Sequence, residues 1–177
     1  MLDLDRREPL NVLFLGRGNA ARSIIAEAIL NREGKGLFRA FSAGRQPAGA
    51  LHPCTLDLLA KLNFDTAGLR SKTWLDYVGP DAMPLDFVFS ICDSAEEDTR
   101  LPWPGNPITG HWGVGDPTAV RGKDPEIRAA FADVFRMLNN RIAILASLPL
   151  ASLDQLSLKR QIEAIEQPEK AKPAAAA

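Results

Sequence analysis

Apolar positions along the chain fall into short continuous runs and longer periodic ones. The run Leu10 to Leu15, broken only by Asn11 and closed by a glycine, has the character of a strand buried on both faces and predicts a strand over Asn11 to Leu15. A loop of small and polar residues follows. Ile24, Ile25, Ala28 and Ile29 then recur at helical spacing, with Glu27, Asn31 and Arg32 on the wetter side, until Gly34 and Gly36. Leu37 to Ser42 predicts a second strand, closed by Ala43-Gly44. His52-Pro53 opens a helix with proline at its first position; Leu56, Leu59, Ala60 and Leu62 form its stripe, and Asn63-Phe64-Asp65 ends it. A short helix over Lys72 to Tyr77 precedes Gly79-Pro80. Asp86 to Cys92 predicts the third strand, Asp93 to Arg100 a polar loop, and Ile108 to Trp112 the last strand. The prolines at 102, 104 and 107 keep the segment between irregular.

Asp124-Pro125 reads as a helix start, with cap and proline adjacent. Ile127, Phe131, Val134, Phe135, Leu138, Ile142 and Leu145 hold the helical period for about five turns, and Pro149 stops it. Leu153, Leu156, Leu158, Ile162 and Ile165 predict one more amphipathic helix. Residues 1–9 read as a flexible lead-in and 167–177, made of Pro, Glu, Gln, Lys and Ala, as a disordered tail. Strands alternating with helices imply one α/β domain over 10–166: a four-stranded parallel sheet with helices on both faces, plus a C-terminal helix. Ligands in such sheets bind beyond the C-terminal strand ends, where the loop after the first strand lies.

Composition narrows the partners. The 177 residues are 46% hydrophobic and 24% charged with a net charge of −1, which is ordinary globular chemistry and predicts neither a nucleic-acid nor a membrane partner. No apolar run is long enough to cross a bilayer, and the first residues lack the apolar core of a signal peptide. Two cysteines, Cys54 and Cys92, are too few for a secreted disulfide framework, so a cytoplasmic protein is expected. Two well-separated histidines and two cysteines support no metal site, and no cofactor is expected.

The chemistry concentrates in Gly16-Arg17-Gly18-Asn19-Ala20-Ala21-Arg22-Ser23. A strand, a glycine-containing turn and a helix N-terminus aim several backbone N–H groups at one point, where the helix dipole adds positive potential. Arg22 adds a planar guanidinium able to grip two oxygens of a tetrahedral anion. The expected function of the stretch is an oxyanion cradle built by residues 17 to 23.

The same stretch resembles the phosphate loop of low-molecular-weight protein tyrosine phosphatases and of thiol-dependent, thioredoxin-coupled arsenate reductases, which reads Cys, five residues, Arg, then Ser or Thr. Gly18-Asn19 and Arg22-Ser23 stand in matching places. Ser42-Ala43-Gly44, the strand Asp86 to Asp93, His111-Trp112-Gly113 and Asp116-Pro117 extend the resemblance over roughly residues 10 to 147 in motif order. The final helix resembles an extension that only some reductase-like members carry. The resemblance implies that Arg22 holds the oxyanion, Asn19 braces the loop, Ser23 supports a thiolate, Asp116 is the general acid and Cys92 falls at the first relay cysteine. It also exposes departures. The nucleophilic cysteine's position holds Gly16, the loop serine of many members is Ala20, and the second relay cysteine, expected near Thr99 or Arg100, is missing.

Covalent catalysis needs a nucleophile in line with the leaving group, and glycine supplies none. Binding is another matter. A thiolate ~4 Å from a bound anion repels it by roughly 4 kcal/mol at intermediate dielectric. The added backbone freedom of a glycine costs only about 1 kcal/mol. The expectation is therefore a protein that binds phosphate, arsenate or sulfate, or the phosphate of a phosphorylated protein, with little turnover. One alternative is an active reductase or phosphatase using Cys92 or Asp93 as substitute nucleophile. Another is a structural protein that presents the C-terminal helix to a partner, although the stripe Leu153–Ile165 could equally pack on the domain itself. Plainer readings stand beside the site residues: Asp116 as a turn residue, Cys92 as a buried strand-end thiol, Cys54, His52 and His111 as structural groups. Trp74, Trp103 and Trp112 read as core or loop anchors, with Trp103 and Trp112 on the pocket wall as the alternative.

Overall fold

A computed structural model describes residues 8–92 and 101–166. The lead-in, the polar loop Asp93 to Arg100 and the predicted disordered tail thus lie essentially outside the described residues, as do Asp93 and the positions Thr99 and Arg100. The element order is β1 (Leu10–Gly16), α1 (Arg22–Glu33), β2 (Phe38–Gly44), α2 (Pro53–Lys61), β3 (Phe87–Ser90), β4 (Ile108–His111), α3 (Asp124–Ser147) and α4 (Gln155–Glu166). The four strands form one parallel sheet in the order β2-β1-β3-β4. β1, the apolar run, is central because both its faces are apolar.

Alternate residues of the central strands enter separate cores. Val12, Phe14, Phe87 and Phe89 pack with α1, α3, α4 and Leu59 of α2 on one face, where Trp112 stacks on Phe89 at 4.1 Å between ring centroids. Leu13, Leu15 and Val88 face a smaller cluster with Tyr77, Leu85 and Trp103. Among the described residues, the helical cover on that second face is the one-turn 3-10 helix Trp74–Tyr77. Each fully buried Leu, Ile or Phe contributes about 1.5–3 kcal/mol relative to exposure.

Several sequence expectations are corrected. The helix expected from Lys72 is only the turn Trp74–Tyr77, because Lys72 and Thr73 are held extended: the Lys72 amide donates to Asn19 Oδ1, its carbonyl accepts from the Gly44 amide, and Thr73 bridges Gly44. Asp124 is not the cap of α3. It is the first helical residue, and Glu126 folds back on the Lys123 amide at 2.8 Å. That helix runs to Ser147 and ends ahead of Pro149, as the sequence predicts. Strand β2 runs on to Gly44, and β3 stops at Ser90, where its partner β4 ends at His111. In α4, Leu158, Ile162 and Ile165 are buried, whereas Leu156 is 61% exposed and Leu153 precedes the helix. The buried stripe of α4 packs against β4 and α3, which settles where that stripe goes. A Cβ at Gly110 of β4 would stand 2.8 Å from Ile162 Cγ2, so the glycine permits this close approach.

Candidate functional site

The loop between β1 and α1 is held from outside. The carbonyls of Gly16, Arg17 and Gly18 accept from the amides of Arg45, Gln46 and Ala48, at 3.1, 2.9 and 2.9 Å. The Ala20 carbonyl accepts from the His52 amide at 3.0 Å and from Thr55 Oγ1 at 2.9 Å. A trans peptide points its C=O and N–H in opposite directions. Committing these four carbonyls to the segment after β2 therefore turns the amides of residues 17, 18, 19 and 21 the other way. Among the described residues, no hydrogen-bond acceptor stands at the amides of residues 17 to 21. Ala21, before α1, makes no side-chain capping bond, so the helix N-terminus is open to an outside acceptor.

Asn19 sits at φ 48°, a left-handed conformation asparagine tolerates. Its Nδ2 donates to Ser23 Oγ at 2.9 Å and to Ser42 Oγ at 2.8 Å, while Oδ1 accepts from the Lys72 amide at 2.7 Å. Beneath it, Ser42 Oγ donates to Glu27 Oε2 over a short contact, and Lys72 Nζ reaches the same carboxylate oxygen at 3.1 Å. Both ends of this ion pair are buried. A Cβ at Gly44 would meet the Arg17 carbonyl at 2.8 Å, so the Ser42-Ala43-Gly44 signature lets the loop lie directly on the end of β2.

Arg22 is 8% exposed. Its Nη1 donates to the Val114 carbonyl at 2.7 Å and its Nη2 stands 3.4 Å from Asp116 Oδ2. Asp116 caps the 3-10 turn Pro117–Ala119, with Oδ1 accepting from Thr118 N and Oγ1. Asp116 thus caps a turn and stands beside Arg22 at once. Gly16 lies outside the left-handed region, so its backbone does not demand glycine. A Cβ there would lie 3.0 Å from Ser23 Oγ.

One pocket of about 420 Å³ gathers Gly16, Arg17, Gly18, Asn19, Ala20, Ala21, Arg22, Ser23 and Asp116 with Gln46, Ala48, His52 and Thr118. The last four were not among the site residues read from sequence. Gln46 and Ala48 lie two and four residues past the Ser42-Ala43-Gly44 signature and Thr118 follows Asp116-Pro117, which are the signals that could have found these three. His52 caps α2 through Nδ1, which accepts from the Cys54 amide at 3.2 Å, and stacks on Phe131. Trp103 and Trp112 are not on the pocket wall: they are buried in the two cores, and the wall is the loop with polar and charged side chains such as Arg17, Arg22, Gln46 and His52. Cys92 is buried at the end of β3 with Sγ 3.3 Å from Ser90 Oγ, and the pocket does not include it. Neither Cys54 nor Cys92 is joined in a disulfide to the other. Among the described residues no cluster of His, Cys, Asp and Glu could hold a metal ion, and no helix is long and apolar enough to cross a membrane.

Comparison with known proteins gives this geometry relatives. The sequence profile described as low molecular weight phosphotyrosine protein phosphatase matches residues 11–161. No curated protein matches the sequence. Among solved structures, an arsenate reductase from Archaeoglobus fulgidus is similar at 25% identity and TM-score 0.60, over 77% of this chain and 99% of that one. A low-molecular-weight protein tyrosine phosphatase from T. tengcongensis shares the fold at 21% identity and TM-score 0.62, over 78% and 99% of the two chains. An arsenate reductase in a phosphate-binding state does so at 24% identity and TM-score 0.58, over 76% and 97%.

Proposed function

The chain belongs to the low-molecular-weight phosphotyrosine protein phosphatase family, and from that premise we propose that it is a cytoplasmic member that binds a tetrahedral oxyanion, free or as the phosphate of a protein partner, with little or no turnover. The observation that carries the reading is the orientation of the loop. Four carbonyls are drawn outward by the segment after β2, leaving consecutive amides, the start of α1 and the Arg22 guanidinium around one space. In this reading residues 17 to 23 bind the anion and Asp116 stands where a general acid would. Gly16 stands where the family's attacking cysteine would be. A Cβ grafted there points at Ser23 Oγ, the hydroxyl that would support a thiolate. Among the described residues neither Cys54 nor Cys92 lines the pocket, which supports the reading of little turnover.

The test is thermal denaturation with increasing inorganic phosphate. A ligand bound only by the folded state adds about 2.7 kcal/mol at roughly a hundred-fold excess over Kd. Melting temperature is expected to rise with phosphate or arsenate and the rise to vanish in Arg22→Ala. A parent protein indifferent to every tetrahedral anion would sink the reading.

A further inference from the structure

Two oxygen atoms in this pocket have opposite hydrogen-bonding needs. Ser23 is 2% exposed, and its Oγ already accepts from Asn19 Nδ2 at 2.9 Å. What remains is its own proton, for which no acceptor stands among the described residues. With no side chain at Gly16, this hydroxyl faces the space where a Cβ would lie 3.0 Å away. Asp116 has the reverse character. Thr118 N and Oγ1 both donate to its Oδ1, at 3.0 and 2.8 Å, which fixes the rotation of the carboxylate. Oδ2 is thereby held on the Arg22 side, 3.4 Å from Nη2, in the same pocket. A carboxylate offers lone pairs and no proton. Set against a bound anion, those lone pairs repel any bare oxygen and accept from one that carries hydrogen.

We propose that the pocket selects tetrahedral anions by their proton: Asp116 Oδ2 accepts the O–H of hydrogen phosphate or hydrogen arsenate, Ser23 Oγ donates to a bare oxygen of the same anion, and sulfate is rejected. At neutral pH sulfate carries no proton, so the facing lone pairs of Asp116 have nothing to receive. This inference rests on the anion-binding reading above and names its ligand class. Asp116 here is a specificity residue whose acceptor capacity, not its acidity, does the sorting. A phosphatase needs a proton leaving this position, whereas an anion receptor needs one arriving.

The experiment is calorimetric titration of the full chain at neutral pH with phosphate, arsenate, sulfate and monofluorophosphate. The last is a tetrahedral phosphorus dianion without an O–H. Phosphate and arsenate are expected to bind within a few-fold of each other, and sulfate and monofluorophosphate roughly ten- to hundred-fold more weakly, the worth of one hydrogen bond to a charged group. In Asp116→Asn the amide offers an N–H, so sulfate and monofluorophosphate should come within a few-fold of phosphate. A parent that binds monofluorophosphate or sulfate as tightly as phosphate overturns the selectivity while leaving anion binding intact. An Asp116→Asn protein that still excludes sulfate overturns the assignment to Asp116. No binding of any of the four anions removes the premise itself. Should Asp116→Asn fail to fold, the monofluorophosphate comparison on the parent decides alone.

Discussion

Asn19 uses every hydrogen-bonding group of its amide at once, joining the loop to α1 through Ser23, to β2 through Ser42 and to the extended segment at Lys72. It does so from a left-handed backbone conformation that alanine disfavours. Asn19→Ala should therefore lower stability by about 3 kcal/mol in chemical denaturation, and anion-dependent stabilisation should weaken with it. Gly16 invites the opposite experiment. Its backbone accepts a side chain and Ser23 need give only a few tenths of an ångström. Gly16→Cys together with Ala20→Ser is expected to fold, to bind phosphate more weakly than the parent and to gain slow hydrolysis of an aryl phosphate. A folded revertant with no such gain would mean that the chemical machinery around the loop is lost as well. Tyr77, the single tyrosine of the chain, reports on the buried charge nearby. Burial first, then the charges of Glu27 and Asp76, push its phenol up to about 12. Its neutral form is favoured by the folded state, so the associated stability is intact below the unfolded value near 10 and fades as pH climbs toward 12. Phenolate absorbance should accordingly appear well above the range of free tyrosine; titration near 10 in the folded protein would contradict the buried placement.

Among the elements, α4 and β4 depend on each other through a single missing side chain. Ile162 sits where a Cβ at Gly110 would stand 2.8 Å from it, and the Phe89 ring crowds the same space. Gly110→Ala should push α4 off the sheet edge at a cost of about 1–3 kcal/mol, read as a lowered denaturation midpoint, while phosphate-dependent stabilisation persists because the loop follows β1, which β3 separates from β4. The Lys72–Glu27 pair works between elements too, tying the segment before the 3-10 turn to α1. Lys72→Ala leaves a buried carboxylate beside Ser42 without its cation and should cost about 3–5 kcal/mol by urea denaturation. A loss within experimental error would mean that water compensates Glu27.

For the whole molecule, the parallel sheet brings the β1–α1 loop, the segment after β2 and the loop carrying Asp116 to one end, as expected where strands end and helices begin. The order of elements was legible because β1 is continuously apolar and because Gly, Pro and cap residues punctuate the chain at physically required places. Gly16 to Ser23 was legible as a unit since its chemistry is local: a turn, a helix start and the Arg22 guanidinium within eight residues. Contacts between distant segments were not. Nothing in sequence spacing says that Lys72 lies beneath Asn19, that Val114 and Asp116 meet Arg22, that Trp112 stacks in the core instead of lining the pocket, or that Leu156 faces away while Ile162 packs on Gly110. Local periodicity and backbone preference act over one or two helical turns, so sequence alone determined the order of the elements and singled out the loop Gly16 to Ser23. The direction in which the loop's carbonyls and amides point depends on partners 29 to 35 residues away along the chain, and only tertiary packing decided it.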